Sequence, residues 1–340
     1  MNSTHLETPF VFIDTQAYVA SGFHWTGTHL GKLAGLCGDG TLKLLIASIT
    51  QREVIRKIEE GLDEAIVRTQ KHRTALANGG VDLELLKDRQ QLLARSLKRF
   101  EVFLRAANAI EVPLDVSLDA VLDDYFSVTP PFSKEKRKEF PDAFAGVSLV
   151  AWLRLNNQRA YVVSADPDWK AFCGLHHSLI HARTISDVIS RAIISAETHA
   201  ALVRKIEASQ ALKEKLEQEL RNLKPRPARG LGRREPPAGL WVRGPGDVTS
   251  ARLLGITDVN VIDSSPPDFA CEIEFEAELN IRAMVVDETD TTMEAETRNI
   301  PVERSFVAVV ELLFGLSAND VVIQKIHDMA DQLVIRREDL

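Results

Sequence analysis

Phe10-Val11-Phe12-Ile13-Asp14: four bulky apolar residues run straight into an acid. A continuous apolar run of this length is the pattern of a strand covered on both faces, and such strands belong to parallel sheets. A lone carboxylate behind a buried run is costly unless its charge is used. The run therefore predicts a central strand, and Asp14 marks the end of it where chemistry is to be sought.

Similar runs recur downstream. Residues 42–48 (LKLLIAS) and 160–166 (AYVVSAD) have strand length and composition, and residues 178–182 (SLIHA) and 110–115 (IEVPLD) are shorter candidates. Helical spacing fills the intervals. A short helix is expected over Thr28–Leu36, ended by the glycines of LCGDG, and a long one from Gln51 to about Leu76, broken by the Asn-Gly-Gly of residues 78–80. Another is expected over 82–108, one from Pro141 to Leu155, and one from about residue 185. Proline suits a first helical turn, where its missing N–H leaves nothing unpaired. Strands alternating with helices predict an α/β fold, a parallel sheet with helices on both faces, and ligand sites beyond the carboxyl ends of the strands.

Four acids follow that logic. Asp14 and Asp166 end predicted strands, with Asp168 two residues on; Glu53 is placed at the opening of the helix after the second strand, and Asp142 in the first turn after EFP. Helix N-termini favour carboxylates, which suits Glu53 and Asp142. One sheet edge would then gather several mutually repelling carboxylates, a set that calls for a divalent cation. Oxygen donors of this kind select Mg²⁺ or Mn²⁺. One or two such ions activate water and neutralise a leaving oxygen in phosphodiester hydrolysis.

The stretches FVFIDTQAY, SITQREVIRKI, EKRKEFPDAF and AYVVSADPDW resemble, in that order, the four acidic motifs of PIN-domain nucleases, over roughly residues 9–195. The resemblance implies a Rossmann-like parallel sheet and a metal-dependent ribonuclease of the larger bacterial type, a family that includes toxin nucleases and suggests a toxin or defence role. It assigns Asp14, Glu53, Asp142 and Asp166 as catalytic, metal-binding acids, Asp168 as an accessory ligand and Glu139 as a further candidate. Glu59 and Glu60 lie close to Glu53 on the same helix and compete with it for the second assignment. Trp169 stands where the family more often has phenylalanine.

A basic stripe, Lys134, Lys136, Arg137 and Lys138, precedes Asp142 and is the expected phosphate-backbone contact. RNA is the expected substrate, with single-stranded DNA as the second candidate. The alternative is a catalytically weak PIN-like scaffold that binds nucleic acid or protein. Thr15 and Ser164 flank site acids and could hydrogen-bond a carboxylate or phosphate.

The remainder of the chain changes character. The expected organisation is a nuclease domain over 1–195, a long charged connecting helix over 196–223, a Pro/Gly/Arg-rich linker over 224–247 and a small acidic α+β module over 248–340. The connecting helix reads as a solvated connector, with a coiled-coil or dimer contact as the alternative. Residues 271–281 (CEIEFEAELNI) alternate strictly, which predicts a half-buried antiparallel strand. Further strands are expected over 255–263 and 298–315, and a closing helix or strand-helix pair over 319–335. Glu272, Glu274, Glu276 and Glu278 fall on one face, either a solvated surface or a docking surface for a basic partner.

The net charge of −8 is unevenly spread: residues 1–224 hold 29 Lys/Arg against 28 Asp/Glu, whereas residues 248–340 hold 7 against 19. The overall acidity therefore says nothing against nucleic-acid binding by the N-terminal part. Three cysteines, Cys37, Cys173 and Cys271, are far apart and give neither zinc spacing nor a disulfide framework. His176, His177 and His181 lack a matching Cys or acid and are not read as ligands; GLCGDG lacks the setting of a phosphate loop. Residues 1–9 do not read as a signal peptide and no run approaches a membrane span, so a cytoplasmic location without membrane contact is expected. The oligomeric state is not readable from the sequence.

Overall fold

The computed structural model describes residues 6–73, 88–114, 116–132, 140–227, 240–242, 244–265, 268–287, 295–314, 321–327, 329 and 333–335. The chain divides into two compact units, Met1–Ala192 and Ile193–Leu340.

The first unit is built on five parallel strands: β1 (Phe10–Ile13), β2 (Lys43–Ala47), β3 (Ile110–Val112), β4 (Ala160–Val163) and β5 (Leu179–Ala182). Their order is β3-β2-β1-β4-β5. β1 lies in the centre, with Val11 opposite Leu44 on one side and Tyr161 on the other. All four of its residues are buried, as the apolar run requires. Phe10 and Phe12 enter one core with Leu45, Val162 and Trp169. Rings set the packing there: Phe12 lies 5.5 Å from Trp169 and Phe10 lies 5.7 Å from Trp152.

Eight helices of this unit are described. After β1 come α1 (Thr15–Ala20) and α2 (Thr28–Gly38); after β2 come α3 (Ser48–Lys71) and α4 (Arg89–Ala106). After β3 come α5 (Leu118–Ser127) and α6 (Phe140–Leu155), and α7 (Pro167–Leu175) and α8 (Ile185–Ile193) follow β4 and β5, α8 reaching the boundary between the units. α5 has no counterpart among the sequence expectations. α3 begins at Ser48, three residues earlier than its sequence suggests, because β2 runs into it without a loop. Glu53 thereby falls in the second turn and no acid occupies the first, so the helix dipole is not what holds it. Arg89 clasps α3 to α4 through Glu59 at 2.9 Å and Asp63 at 2.6 Å. The Asn-Gly-Gly turn, the basic stripe Lys134, Lys136, Arg137 and Lys138, and Glu139 lie outside the described residues.

The second unit pairs helices with a long antiparallel sheet. Where one continuous helix is expected over 196–223, there are two, α9 (Ala196–Ala208) and α10 (Gln210–Asn222). Ser209 separates them: its backbone is extended and its Oγ accepts the Leu212 N–H at 3.2 Å, capping α10. Nor are they a solvated connector. Leu202, Ile206, Leu212, Leu216 and Leu220 recur at helical spacing and are buried in the core of the sheet.

After β6 (Arg226–Pro227) and β7 (Leu240–Val242), the main strands are β8 (Asp247–Ser265), β9 (Asp268–Asp287), β10 (Ala295–Phe314) and β11 (Val321–His327). β9 is flanked by β10 on one side and by β8 and then β7 on the other. β11 covers β10 only from Val309 to Phe314. A two-residue strand, β12 (Val334–Ile335), pairs with β6, and the closing helix expected over 319–335 is absent among the described residues of that stretch. The alternation in β9 has its expected result: Cys271, Ile273, Phe275, Ala277, Leu279 and Ile281 are fully buried, while the four glutamates face outward. Arg252 Nε on β8 donates to Glu278 at 3.1 Å.

Leu216→Ala should destabilise this unit by about 2–5 kcal/mol through a core cavity. Amide hydrogen exchange in β8 and β9 of the full chain should accelerate accordingly. A solvated connector would give an effect within about 0.5 kcal/mol.

Candidate metal centre

In a sheet of order β3-β2-β1-β4-β5, the chain turns from one side of β1 to the other between β1 and β4. Ligand sites of open parallel sheets form beyond the carboxyl ends of the strands at such a point. Asp14 follows β1, and its N–H donates to the Val163 carbonyl of β4 at 3.0 Å, extending the ladder by one rung. Ser164 follows β4, and its N–H donates in turn to Ala182 of β5 at 3.0 Å. Backbone pairing thus fixes both residues at the crevice.

The side chains continue the network. The Ser164 hydroxyl donates to Asp14 Oδ2 at 2.9 Å and accepts the Asp166 N–H at 3.1 Å. Asp166 caps α7, its Oδ1 accepting the Asp168 N–H at 2.9 Å, and Pro167 occupies the first helical position. From the other side, the Thr15 hydroxyl donates to Glu53 Oε2 at 3.2 Å. This separates Glu53 from its neighbours: Glu59 is committed to Arg89 and Glu60 to Lys57. Asp142 occupies the first turn of α6, half-buried. α6 leads into the amino end of β4, as a crossover helix must, so its first turn belongs to the same sheet edge as Asp14.

Asp14 is 3% exposed, and its carboxyl is pushed up to about 6. Burial is the main cause. The Ser164 hydroxyl and the Thr15 backbone oppose the rise, and the charges of Glu53 and Asp166 add to it. Glu53 and Asp166 are therefore each within electrostatic reach of Asp14, and Asp168 is tied to Asp166. Among the described residues, no group of three or more His, Cys, Asp or Glu side chains is drawn close enough to hold a metal ion. The donor chemistry nevertheless suits a hard cation: the set is all carboxylate oxygen, with one member buried against two like charges.

Several neighbours were not singled out from the sequence, or only in passing. Thr15 and Ser164 are the hydroxyls that orient Glu53 and Asp14. His181 Nε2 lies 2.8 Å from the Ser164 carbonyl and holds the end of β4 from β5. His176, in contrast, follows α7, and His177 is exposed. Arg52, before Glu53, and Lys170, two residues after Asp168, are exposed and form no ion pair with a described residue. Their one available signal was adjacency to a site acid in a helical segment.

No described helix is long and apolar enough to cross a membrane. No curated protein and no solved structure matches the chain. Residues 11–169 do match the family model described as the PIN domain. That span begins within β1 and ends at Trp169, enclosing all five acids, and with the five-stranded parallel sheet it makes the N-terminal unit a member of the PIN-domain family, whose members are generally nucleases and typically use divalent metals.

Proposed function

We propose that this protein is an endoribonuclease that hydrolyses RNA phosphodiester bonds with Mg²⁺ or Mn²⁺ held by Asp14, Glu53, Asp142 and Asp166, with Asp168 in support. The observation that carries the reading is the electrostatic convergence of Glu53 and Asp166 on buried Asp14 at the point where the strand order reverses. A bound divalent ion would supply charge neutralisation of the scissile phosphate and a water acidified enough to attack it. The chain's own part is orientation. Ser164 holds one oxygen of Asp14, Thr15 holds one oxygen of Glu53, and the α7 cap holds Asp166. Arg52 and Lys170 offer cations for flanking phosphates, contacts that position a strand without reading its sequence.

One observation favours a second reading, a nucleic-acid-binding scaffold with weak catalysis: no three described side chains stand at metal-holding spacing. A metal series on labelled RNA and DNA, with a chelator control, separates the two. The nuclease reading expects cleavage of RNA in Mg²⁺ or Mn²⁺ and none with chelator. Asp14→Asn and Asp142→Asn should each fall to the chelator level; variants that cut like the unsubstituted protein would place the activity elsewhere.

The Asp14→Asn variant carries its own control for folding. With its carboxyl raised to about 6 against an ordinary 3.8, the folded chain holds this proton more tightly than the unfolded one. The resulting stability is fully present below about pH 4 and is lost as pH rises through about 6. Asparagine carries no charge, and its carbonyl can still accept from Ser164. The variant should therefore exceed the unsubstituted protein by about 2–3 kcal/mol above pH 7 in metal-free denaturation, with the gap closing towards pH 4.

Arg52→Ala and Lys170→Ala should each weaken RNA binding irrespective of sequence. Each should lower the slope of log affinity against log salt by about 0.7, the value per phosphate contact on a single strand.

A further inference from the structure

The turn Ser21-Gly22-Phe23-His24-Trp25-Thr26-Gly27 joins α1 to α2. β1 runs up to Asp14, and α2 runs back to the start of β2, so this turn lies on the same edge of the sheet as the acids. Its backbone is unusual. Gly22 has φ +62 and Phe23 has φ +56, two consecutive left-handed residues of which the second is a bulky aromatic. That conformation is an outlier for phenylalanine and is kept only where the surroundings over-determine it.

They do so here. The N–H groups of Ser21, Gly22, Phe23, His24, Trp25 and Gly27 all donate to carbonyls of residues 17–24. A Cβ on Gly22 would meet the His24 ring at 3.1 Å, one on Gly27 would meet His24 Cβ at 3.0 Å, and one on Gly31 would meet the Thr26 backbone at 2.8 Å. The turn is wound tightly on itself, and what it displays is aromatic. Trp25 rests on Phe100 and Phe103 of α4, with ring centroids at 5.1 and 5.2 Å, and Phe23 leans on Trp25 at 5.7 Å. Core packing accounts for one side of Trp25. It does not account for a strained Phe23 left only half-buried, or for an exposed His24 beside it.

We infer that this turn is a base-stacking platform, on which one or two nucleobases of a single-stranded RNA rest while its backbone crosses the acid site. Aromatic rings accept any base on their π-face, so the platform positions the strand with little sequence preference. Its rigidity is an asset, since a preformed platform loses little freedom on binding. The inference rests on the nuclease reading for the identity of the strand.

The test is Phe23→Gly in the full chain. Glycine adopts φ +56 without strain, so the variant should melt no lower than the unsubstituted protein. Binding of a labelled oligoribonucleotide in chelator, followed by anisotropy, should weaken about 10-fold. Binding of an abasic oligonucleotide of equal length should be weaker from the outset and unchanged by the substitution. His24→Ala should show the same selectivity for base-bearing strands. If the unsubstituted protein cleaves RNA with metal, yet Phe23→Gly binds the base-bearing strand as tightly, stacking on this turn is wrong and the nuclease reading stands. If the unsubstituted protein binds neither kind of strand, both fall.

Discussion

One backbone hydrogen bond, from the Asp14 N–H to the Val163 carbonyl, holds the first acid at the seam between β1 and β4. It is the last rung of a central parallel ladder, and Asp14 has no freedom to leave the crevice while the ladder holds. Everything else at the site is placed relative to it. Ser164, one residue past Val163, is thereby in reach of the Asp14 carboxylate, and the chain that follows Ser164 reaches Asp166 in two residues. A sheet with β1 at its edge would leave these residues on different sides of the molecule.

The cost of that placement is electrostatic. A carboxylate that is almost fully buried and faces two further acids is a poor stabiliser of a fold at neutral pH. The surrounding core compensates, with Phe10, Phe12, Trp152 and Trp169 packed behind the strand. The Trp169 Nε1 and the Tyr18 hydroxyl, both buried, have no hydrogen-bond partner among the described residues. Stability near the site is thus supplied by rings while polar satisfaction is concentrated on the acids, as expected where function competes with folding.

Much of this was legible in the sequence. The apolar runs of β1, β2 and β4 gave strand positions because both faces are covered, and the strict alternation of β9 gave its one-sided burial. The acids could be ordered along the chain because each sits at a strand end or an early helical turn. The register of Glu53 was less accessible: β2 passes into α3 without a loop, so no punctuation marks the helix start. α9 and α10 were misread as one exposed rod because their leucines are sparse among charges. A stripe one residue wide in every turn is enough when a sheet covers it. The aromatic turn after α1 is not legible in the sequence, since its left-handed backbone leaves a signature only in Gly22, and no residue type announces a phenylalanine at positive φ.

The partial cover that β11 gives to β10 has a consequence for the protein in concentrated solution. Among the described residues, β10 from 295 to 308 has a strand partner on one side only. An open edge of that length is a template for intermolecular pairing. Here it carries Glu296, Arg298, Glu303 and Arg304, with Pro301 among them lacking an N–H to offer. Charges and proline on an edge make addition of a foreign strand unfavourable. The apolar positions of the same strand, Ile300, Val302 and Phe306, are turned into the core and cannot recruit one. The long sheet can therefore leave one margin unpaired and still resist stacking into fibres.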